Sequence, residues 1–201
     1  MEDGKQVQRI GVYCASSFGA NPSFLRGAQE LGALLGERGI TLVYGGARVG
    51  LMGAVADAAL AKGGNVIGVI PESMIQHELA HTGLQDLRTV ASMHERKAVM
   101  AELSDAFLAL PGGYGTMDET FEILTWAQLG LHHKPCVLCN LDGYYDPLLS
   151  YLDSMVANGL VRPAHRDLAM AASNPAAAIE LLEQALMSVG SAVTKWDESS
   201  I

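Results

Sequence analysis

Short apolar runs alternate along the chain with longer runs in which apolar and polar residues are mixed. The short runs contain few polar positions, as is typical of strands that are buried on both faces of a sheet. The longer runs have the amphipathic pattern of helices with one buried face. The pattern predicts strands at residues 9–15, 41–44, 65–70, 87–90, 106–110, 136–139 and 168–171. It predicts helices at residues 22–38, 51–62, 93–104, 116–129, 145–158 and 175–189.

This alternation of strands and helices predicts an α/β fold, a three-layer sandwich with about seven strands in a parallel sheet and helices on both faces. Right-handed crossovers are expected between the strands. We predict one domain over residues 1–189, because no boundary or repeat interrupts the pattern, and a flexible polar tail over residues 190–201. Ligands of such sheets bind beyond the carboxyl ends of the strands.

A glycine-rich run, residues 111–119 (PGGYGTMDE), follows the predicted strand 106–110 and leads into the predicted helix 116–129. Its three glycines remove the side chains that would keep a ligand away from the backbone. The exposed N–H groups and the dipole at the start of a helix both favour an anion. The run therefore predicts a phosphate-binding loop with a carboxylate, Glu119, one turn inside the helix.

Glu119 has two interpretations. Thr116 and Glu119 have the T-x-x-E spacing of a capping box, in which the glutamate only satisfies backbone N–H groups of its own helix. The neighbouring glycines favour a functional carboxylate instead, because an ordinary helix start does not require three of them.

A second possible capping box, Ser92 to Glu95, predicts the start of the helix 93–104 and places Arg96 in its first turns. Arg96 shares its side of the helix with apolar residues, and a cation there opposes the helix dipole and needs a partner. A bound anion would offset both costs, which favours a functional Arg96. The alternatives are an arginine that extends to solvent or one that pairs with a core carboxylate. Lys97 is a weaker candidate, because surface lysines are ordinary on helices.

Another glycine cluster, residues 45–53 (GGARVGLMG), follows the second predicted strand. Its spacing is not G-x-G-x-x-G, and no carboxylate ends a following strand to hold a ribose, so a nicotinamide-dependent oxidoreductase is disfavoured. We expect the cluster to bring the backbone close to a ligand or a neighbouring loop, and tight packing is an equal explanation for Gly53. Residues 14–17 (CASS) are weaker candidates for polar contacts.

The composition of the chain limits the kinds of molecule that it is expected to bind. The formal net charge of −9 argues against a nucleic-acid surface, which depends on clustered lysine and arginine. A local site can still bind a small anion. The sequence shows no signal peptide and no membrane span, so we expect a cytoplasmic location and no membrane partner.

The cysteines and histidines show no grouping that predicts a metal site. Cys136 and Cys139 have CxxC spacing, but they lie in a predicted strand, where residues three apart point to opposite faces. Buried, reduced thiols are therefore expected. We predict neither a metal nor a cofactor.

Three elements occur in a fixed order: the glycine cluster 45–53, the run 93–97 (MHERK) and the run 111–119. Together they make the chain resemble the Lonely Guy family, the cytokinin-activating phosphoribohydrolases, over nearly its whole length. That family was long labelled lysine decarboxylase. No lysine here has a recognisable pyridoxal-phosphate setting, and Lys97 is the only candidate.

The resemblance implies a Rossmann-like sheet and a homodimer with its sites near the subunit interface. It also implies hydrolysis of 6-amino-substituted adenosine 5′-monophosphates to the free base and ribose 5-phosphate. Arg96 and Glu119 match the family's catalytic pair. Its nucleotide contacts match Glu78, Arg96, Lys97, Gly112, Gly113, Tyr114, Gly115, Thr116, Met117, Asp118 and Thr125.

Breaking an N-glycosidic bond builds positive charge on the ribose and negative charge on the leaving base, by analogy with glycoside hydrolysis. A carboxylate such as Glu119 can stabilise that cation, hold ribose hydroxyls or activate water, while Arg96 can neutralise phosphate or the departing purine. The sequence leaves these roles open. It also leaves open a nucleotide carrier that cleaves nothing, a broader nucleosidase acting on plain AMP, and an enzyme of nucleotide sugars.

Overall fold

The computed structural model describes residues 7–75 and 79–188. Within these residues the strands are β1 (Arg9–Tyr13), β2 (Thr41–Tyr44), β3 (Val66–Pro71), β4 (Asp86–Val90), β5 (Ala106–Ala109), β6 (Cys136–Cys139) and β7 (Ala169–Ala172). All neighbouring strands are parallel. They form one seven-stranded sheet in the order β4-β3-β2-β1-β5-β6-β7.

The described helices include two whose starts are marked in the sequence by an asparagine followed by proline. Asn21 and Asn174 accept backbone N–H groups at these two starts, and the prolines occupy the first helical position. Asparagine is a strong N-cap, and proline fits there because its missing N–H would have no helical partner. The helices are α1 (Pro22–Glu37), α2 (Gly50–Ala61), α3 (Glu72–Ile75), α4 (Met93–Leu103), α5 (Tyr114–Gln128), α6 (Asp146–Ala157), α7 (Pro163–Arg166) and α8 (Pro175–Met187).

Apolar side chains fill both faces of the sheet. Consecutive residues of β2 show the alternation: Leu42 packs on the face that carries Leu31 of α1, and Val43 packs on the face that carries Met100 of α4 and Ile123 of α5. Complete burial of such a side chain contributes about 1.5–3 kcal/mol. The two layers hold the helices in place, and with them the loops that connect helices to strand ends.

The cysteines of β6 lie on opposite faces, as predicted. Cys139 belongs to the core layer with α1 and α2, and Cys136 to the layer with α4 and α5. Both thiols are free and buried, and burial raises the pKa of each to about 12. The two side chains therefore cannot form a joint redox or metal site.

The predicted three-layer α/β fold with a seven-stranded parallel sheet is confirmed. Most element limits differ by one or two residues from the predicted ones, and the difference that matters for function is that α5 begins at Tyr114 instead of residue 116. The apolar pattern does not predict α3 or α7, because four residues are too few to show a helical period. Residues 190–201 lie outside the described residues, so the division into one domain and a tail stays a prediction.

The order of the strands positions the site. From β1 the chain moves outwards through β2 and β3 to β4, and then returns to the other side of β1 with β5. The loops after β1 and β5 therefore diverge and leave a crevice at the carboxyl edge, where ligands of open α/β sheets bind. Among the residues that the structure describes, no helix has the length and apolar character needed to cross a membrane.

Candidate active site

A cavity of about 350 Å³ lies at the carboxyl edge of the sheet, between the loops that follow β1, β2 and β5. A wider groove of about 920 Å³ lies at the amino edge, away from the strand ends where ligands of such sheets bind. The first turns of α4 and α5 complete the wall of the carboxyl-edge cavity. Of the predicted site residues it brings together Arg96, Gly113, Tyr114, Gly115, Thr116, Asp118 and Glu119.

The glycines of the run 111–119 serve different purposes. A side chain at Gly112 would collide with buried Thr116. Gly113 and Gly115 instead face open space: apart from their chain neighbours and the nearby backbone of α5, no described atom lies within 4 Å of the position that a Cβ would take. Neither has the positive φ that favours glycine, and φ at Gly113 is −94°. Internal packing and backbone conformation therefore leave these two glycines unexplained, whereas close approach of a ligand accounts for them.

The two helices that follow glycine-rich loops differ at their N-termini. The first N–H groups of α2 are used within the protein, because Leu51 and Met52 donate to the carbonyl of Ala15 at 3.1 and 3.3 Å. The N-cap of α5 is Gly113, and no described side chain caps that helix. The first N–H groups of a helix lack helical partners, and its dipole favours an anion there. The N-terminus of α5 is therefore the better anion site.

Glu119 does not cap its helix. Because α5 begins at Tyr114, Thr116 lies inside the first turn and Glu119 lies beyond that turn. The N-cap residue is Gly113, and no side chain forms a capping hydrogen bond at this helix start. The capping interpretation of Glu119 is wrong, and its carboxylate faces the cavity.

A capping box does form at α4, and it orients Arg96. Ser92 Oγ accepts the N–H of Glu95 at 3.2 Å, while the Glu95 carboxylate accepts the N–H of Ala91 at 2.7 Å. One turn of helix is thereby fixed, and Arg96 points inwards with only 6% of its surface exposed. Its Nε donates to the carbonyl of Val69 at 3.1 Å. The alternative of an arginine that extends to solvent is wrong.

Arg96 and Glu119 form a loose buried pair. Arg96 Nη1 and Glu119 Oε1 are 3.5 Å apart, whereas strong charged hydrogen bonds are about 2.7–2.9 Å long. Both groups therefore keep hydrogen-bonding capacity for a ligand. Burial raises the pKa of Glu119, and the charge of Arg96 partly opposes that shift. A buried cation beside a carboxyl of perturbed pKa, at the wall of a cavity, is typical of functional sites.

Gly45, at the end of β2, makes room for the guanidinium. A Cβ at this position would overlap Nη2 of Arg96. Gly53 lies against the backbone of Arg48 and serves packing. The glycine cluster 45–53 thus brings the backbone close to other parts of the protein, as the close-approach interpretation predicts. Gly45 also lines the cavity.

Lys97 lies beside the cavity and is held by two carboxylates. Its Nζ is 3.0 Å from Asp118 and 3.1 Å from Glu122. Burial alone lowers the pKa of Lys97, but the hydrogen bonds and charges of these two carboxylates raise it above the usual value. A lysine that forms a Schiff base with pyridoxal phosphate needs a lowered pKa instead. The surroundings of Lys97 therefore disfavour decarboxylase chemistry.

Other predicted contacts lie elsewhere. Met117 packs inwards against Tyr145 and its apolar neighbours. Thr125 lines a separate groove of about 170 Å³ between α5 and α6. Tyr114, by contrast, does line the cavity, and 98% of its surface is exposed. Glu78 lies outside the described residues.

Sequence reasoning misses the apolar part of the cavity. Met52, Met74 and Met93 line it, but methionine is common in cores, so the sequence alone gives no signal that distinguishes these three. Residues 14–17, the weaker candidates for polar contacts, also line the cavity. Burial raises the pKa of Cys14, with a further contribution from the charge of Glu119, so this thiol is a poor nucleophile.

Comparison with known proteins identifies the family of the chain. A family model described as possible lysine decarboxylase matches residues 52–182. The chain is 49% identical over 179 residues to a probable cytokinin riboside 5′-monophosphate phosphoribohydrolase from Oryza sativa subsp. japonica, covering 89% of this chain and 79% of the relative. It is 52% identical over 158 residues to a cytokinin riboside 5′-monophosphate phosphoribohydrolase from Rhodococcoides fascians, covering 78% and 80%.

Among solved structures, the fold is similar to that of the molybdenum cofactor binding protein from the phototrophic bacterium Rippkaea orientalis. The TM-score is 0.67 and the identity 26%, with 88% of this chain and 95% of the other covered. The range matched by the family model contains Arg96, Glu119 and the whole run 111–119. The chain therefore belongs to the Lonely Guy family of cytokinin riboside 5′-monophosphate phosphoribohydrolases, which the family model describes as possible lysine decarboxylase.

Proposed function

We propose that this protein hydrolyses the N-glycosidic bond of 6-amino-substituted adenosine 5′-monophosphates, the cytokinin nucleotides, and releases the free base and ribose 5-phosphate. The observation that carries the proposal is the buried pair Arg96–Glu119 in a cavity that also contains the open glycine loop of α5. The relatives that are 49% and 52% identical are named for this activity.

The 5′-phosphate binds at the N-terminus of α5 in this proposal. Gly113 and Gly115 leave space for its oxygens, and the first N–H groups of the helix have no side-chain cap. A cavity of about 350 Å³ is within the size range of small-molecule sites. Phosphate binding there fixes the ribose and so positions the bond to be cut.

In this proposal, Glu119 faces the ribose and accepts a proton from the attacking water. As the bond between C1′ and the base nitrogen breaks, its electron pair leaves with the base and the sugar becomes an oxocarbenium-like cation, which a carboxylate stabilises. The water oxygen bonds to C1′ and one water proton passes to Glu119. That proton is then passed through solvent to the base, which restores the Glu119 carboxylate. Because burial raises the pKa of Glu119, its carboxylate accepts that proton more readily than an exposed one.

Arg96 supplies fixed positive charge. A guanidinium stays protonated in proteins, so it cannot serve as an acid in this reaction. Its Nε is occupied by Val69, while Nη2 lies above Gly45 at the cavity wall. From there Arg96 stabilises negative charge on the departing purine or the phosphate.

The apolar wall favours a substituted base. Met52, Met74 and Met93 offer flexible, polarisable surface, and a purine 6-amino group that carries an apolar substituent fits such a wall better than a bare amino group does. This supports cytokinin nucleotides over plain AMP as the preferred substrate.

A non-catalytic carrier is the second candidate, because the fold is similar to that of a molybdenum cofactor binding protein. A carrier has no need of a carboxyl that is buried beside a cation at the ligand. The pair Arg96–Glu119 therefore favours hydrolysis, and a turnover experiment separates the two functions.

We also propose that the protein is a cytoplasmic homodimer that binds no nucleic acid. Self-association through the groove between α5 and α6 would cover exposed apolar side chains such as Tyr151 and Leu160, and would give Thr125 a role at an interface. Free, buried cysteines fit a reducing compartment, and a net charge of −9 opposes nucleic acid.

Purified protein should release free base from isopentenyl-AMP and little from the matching riboside, because the riboside lacks the phosphate that positions the bond. Liquid chromatography of the products checks this, with AMP as a third substrate. Equal cleavage of AMP would indicate a broad nucleosidase. Protein that binds AMP but releases no base from any substrate would be a carrier.

Replacing Glu119 with glutamine should lower kcat by about 10²–10⁴-fold, the usual contribution of a positioned acid or base. The KM should stay within about threefold of the wild-type value, because glutamine keeps the size of the side chain and the phosphate site is untouched. Steady-state kinetics measures both. The control is Glu180→Gln, an exposed change on α8. Near-normal turnover by the Glu119 variant would refute the catalytic role.

The change Gly45→Ala should lower kcat/KM by about tenfold or more, because the new methyl group displaces the guanidinium of Arg96 and small misplacements in a site are costly. A double-mutant cycle provides the control. In an Arg96→Ala background the methyl group has space, so the added Gly45→Ala should change neither activity nor the thermal midpoint further. An equal loss in both backgrounds would contradict this explanation.

Light scattering should give the mass of two chains at micromolar concentration. The change Tyr151→Glu, on the exposed face of α6, should shift the mass towards one chain, because it places a charge in the proposed apolar contact. A wild-type monomer would contradict the homodimer.

A further inference from the structure

A turn outside the cavity forms hydrogen bonds to the backbone of the glycine-rich loop. It spans residues 140–146, between β6 and the first turn of α6, and carries two consecutive tyrosines. The hydroxyl of Tyr144 donates to the carbonyl of Gly112 at 2.6 Å, and that of Tyr145 donates to the carbonyl of Leu110 at 2.6 Å. Both bonds end on the backbone at the start of the run 111–119, yet neither tyrosine lines the cavity.

The turn that carries these tyrosines is itself tightly fixed. Asn140 accepts the N–H of Tyr145 at 2.6 Å and donates to Asp146 at 2.7 Å. Asp142 has a φ of +50°, the only positive φ of a non-glycine residue in the described part of the chain, and its carboxylate accepts a hydrogen bond from Asn21 at 3.0 Å. A backbone in this region costs energy and persists only where its surroundings determine it.

Ring contacts fix the direction of the Tyr144 hydroxyl. The ring of Tyr144 lies edge-on to Phe24 of α1 at 5.2 Å between centroids, and edge-on to Tyr145 at 4.9 Å. Such contacts hold aromatic rings in one orientation. Tyr145 is buried, so its hydroxyl and the carbonyl of Leu110 satisfy each other in the core.

The bond to Gly112 sets the direction of the next N–H group. A trans peptide group is planar, and its C=O and N–H point to opposite sides. The hydroxyl that holds the carbonyl of Gly112 behind the loop therefore directs the N–H of Gly113 away from the turn. Gly113 lines the cavity, and beyond its two chain neighbours no described atom lies within 4 Å of the position that its Cβ would take. Without the bond, this glycine would sample many conformations.

We propose that Tyr144 is a positioning residue for phosphate binding, which holds the N–H of Gly113 in the orientation that receives a phosphate oxygen, while Tyr145 anchors the base of the loop at Leu110. The inference rests on the proposed function only for the presence of a phosphate at α5. It does not depend on whether the bound nucleotide is cleaved.

The test is Tyr144→Phe, which removes one hydroxyl and keeps the ring in place. Isothermal titration calorimetry measures the affinity of each variant for AMP, and a competition titration against AMP measures its affinity for adenosine. The two ligands differ only by the phosphate. AMP affinity should fall about 3- to 10-fold, the usual range for one hydrogen bond, with adenosine affinity unchanged. The matched control is Ser188→Ala, which removes an exposed hydroxyl at the C-terminal end of α8 and should leave both affinities unchanged.

The outcomes are distinct. Unchanged AMP affinity in the Tyr144 variant, or an equal loss for AMP and adenosine, overturns the positioning role. Wild-type protein that binds AMP but never releases base refutes hydrolysis alone and leaves this comparison intact. Wild-type protein that binds adenosine as well as AMP overturns the phosphate site and the inference together. The thermal midpoint of each variant shows that the comparison is made on folded protein.

Discussion

Burial of the Arg96 guanidinium is the constraint on which the carboxyl edge of the sheet depends. An ion taken out of water loses several kcal/mol of hydration, which only partners can restore. The carbonyl of Val69 and the carboxylate of Glu119 restore part of it, and Gly45 gives the side chain space. Because the contact with Glu119 is loose, Arg96 keeps hydrogen-bonding capacity, which the proposed anionic ligand would use. A strand end, two helices and a loop thus supply the groups that surround one buried cation.

Two glycine-rich loops lie at this edge, and their hydrogen bonding distinguishes a structural loop from a candidate binding loop. The N-terminus of α2 is closed by the carbonyl of Ala15, so its loop supports the fold. The N-terminus of α5 has no side-chain cap, and Gly113 and Gly115 face open space. The same residue type therefore serves internal packing at Gly53 and Gly112, and ligand approach, in our proposal, at Gly113 and Gly115. Glycine content alone does not reveal this, because the difference lies in what surrounds each residue.

The parts of the molecule that sequence predicts well are those set by local pattern. Apolar alternation is enough for the parallel sheet and for the opposite faces of Cys136 and Cys139, and Arg96 is conspicuous as a cation on an apolar helix face. The start of α5 is missed because a glycine N-cap gives no side-chain signal, and the T-x-x-E spacing suggests a later start.

Long-range contacts account for the rest. The tyrosine hydroxyls reach backbone 32 and 35 residues away, across β6, and nothing in the local sequence marks their acceptors. The methionine wall likewise comes from three separate elements that only the fold brings together. Thr125 shares a helix with Glu119, yet it lines a different groove, because the two side chains lie more than one turn apart and point to different sides of α5.

Binding and bond cleavage use different kinds of group in this site. The proposed phosphate contacts are backbone N–H groups, which any chain with this fold and these glycines can present. Cleavage requires side chains, and the proposed ones, Arg96 and Glu119, come from α4 and α5, outside the sheet. Similarity of fold to a molybdenum cofactor binding protein therefore shows a shared scaffold and leaves the chemistry undecided. A buried carboxyl with a raised pKa beside a fixed cation favours hydrolysis, since simple binding has no use for a group that exchanges a proton.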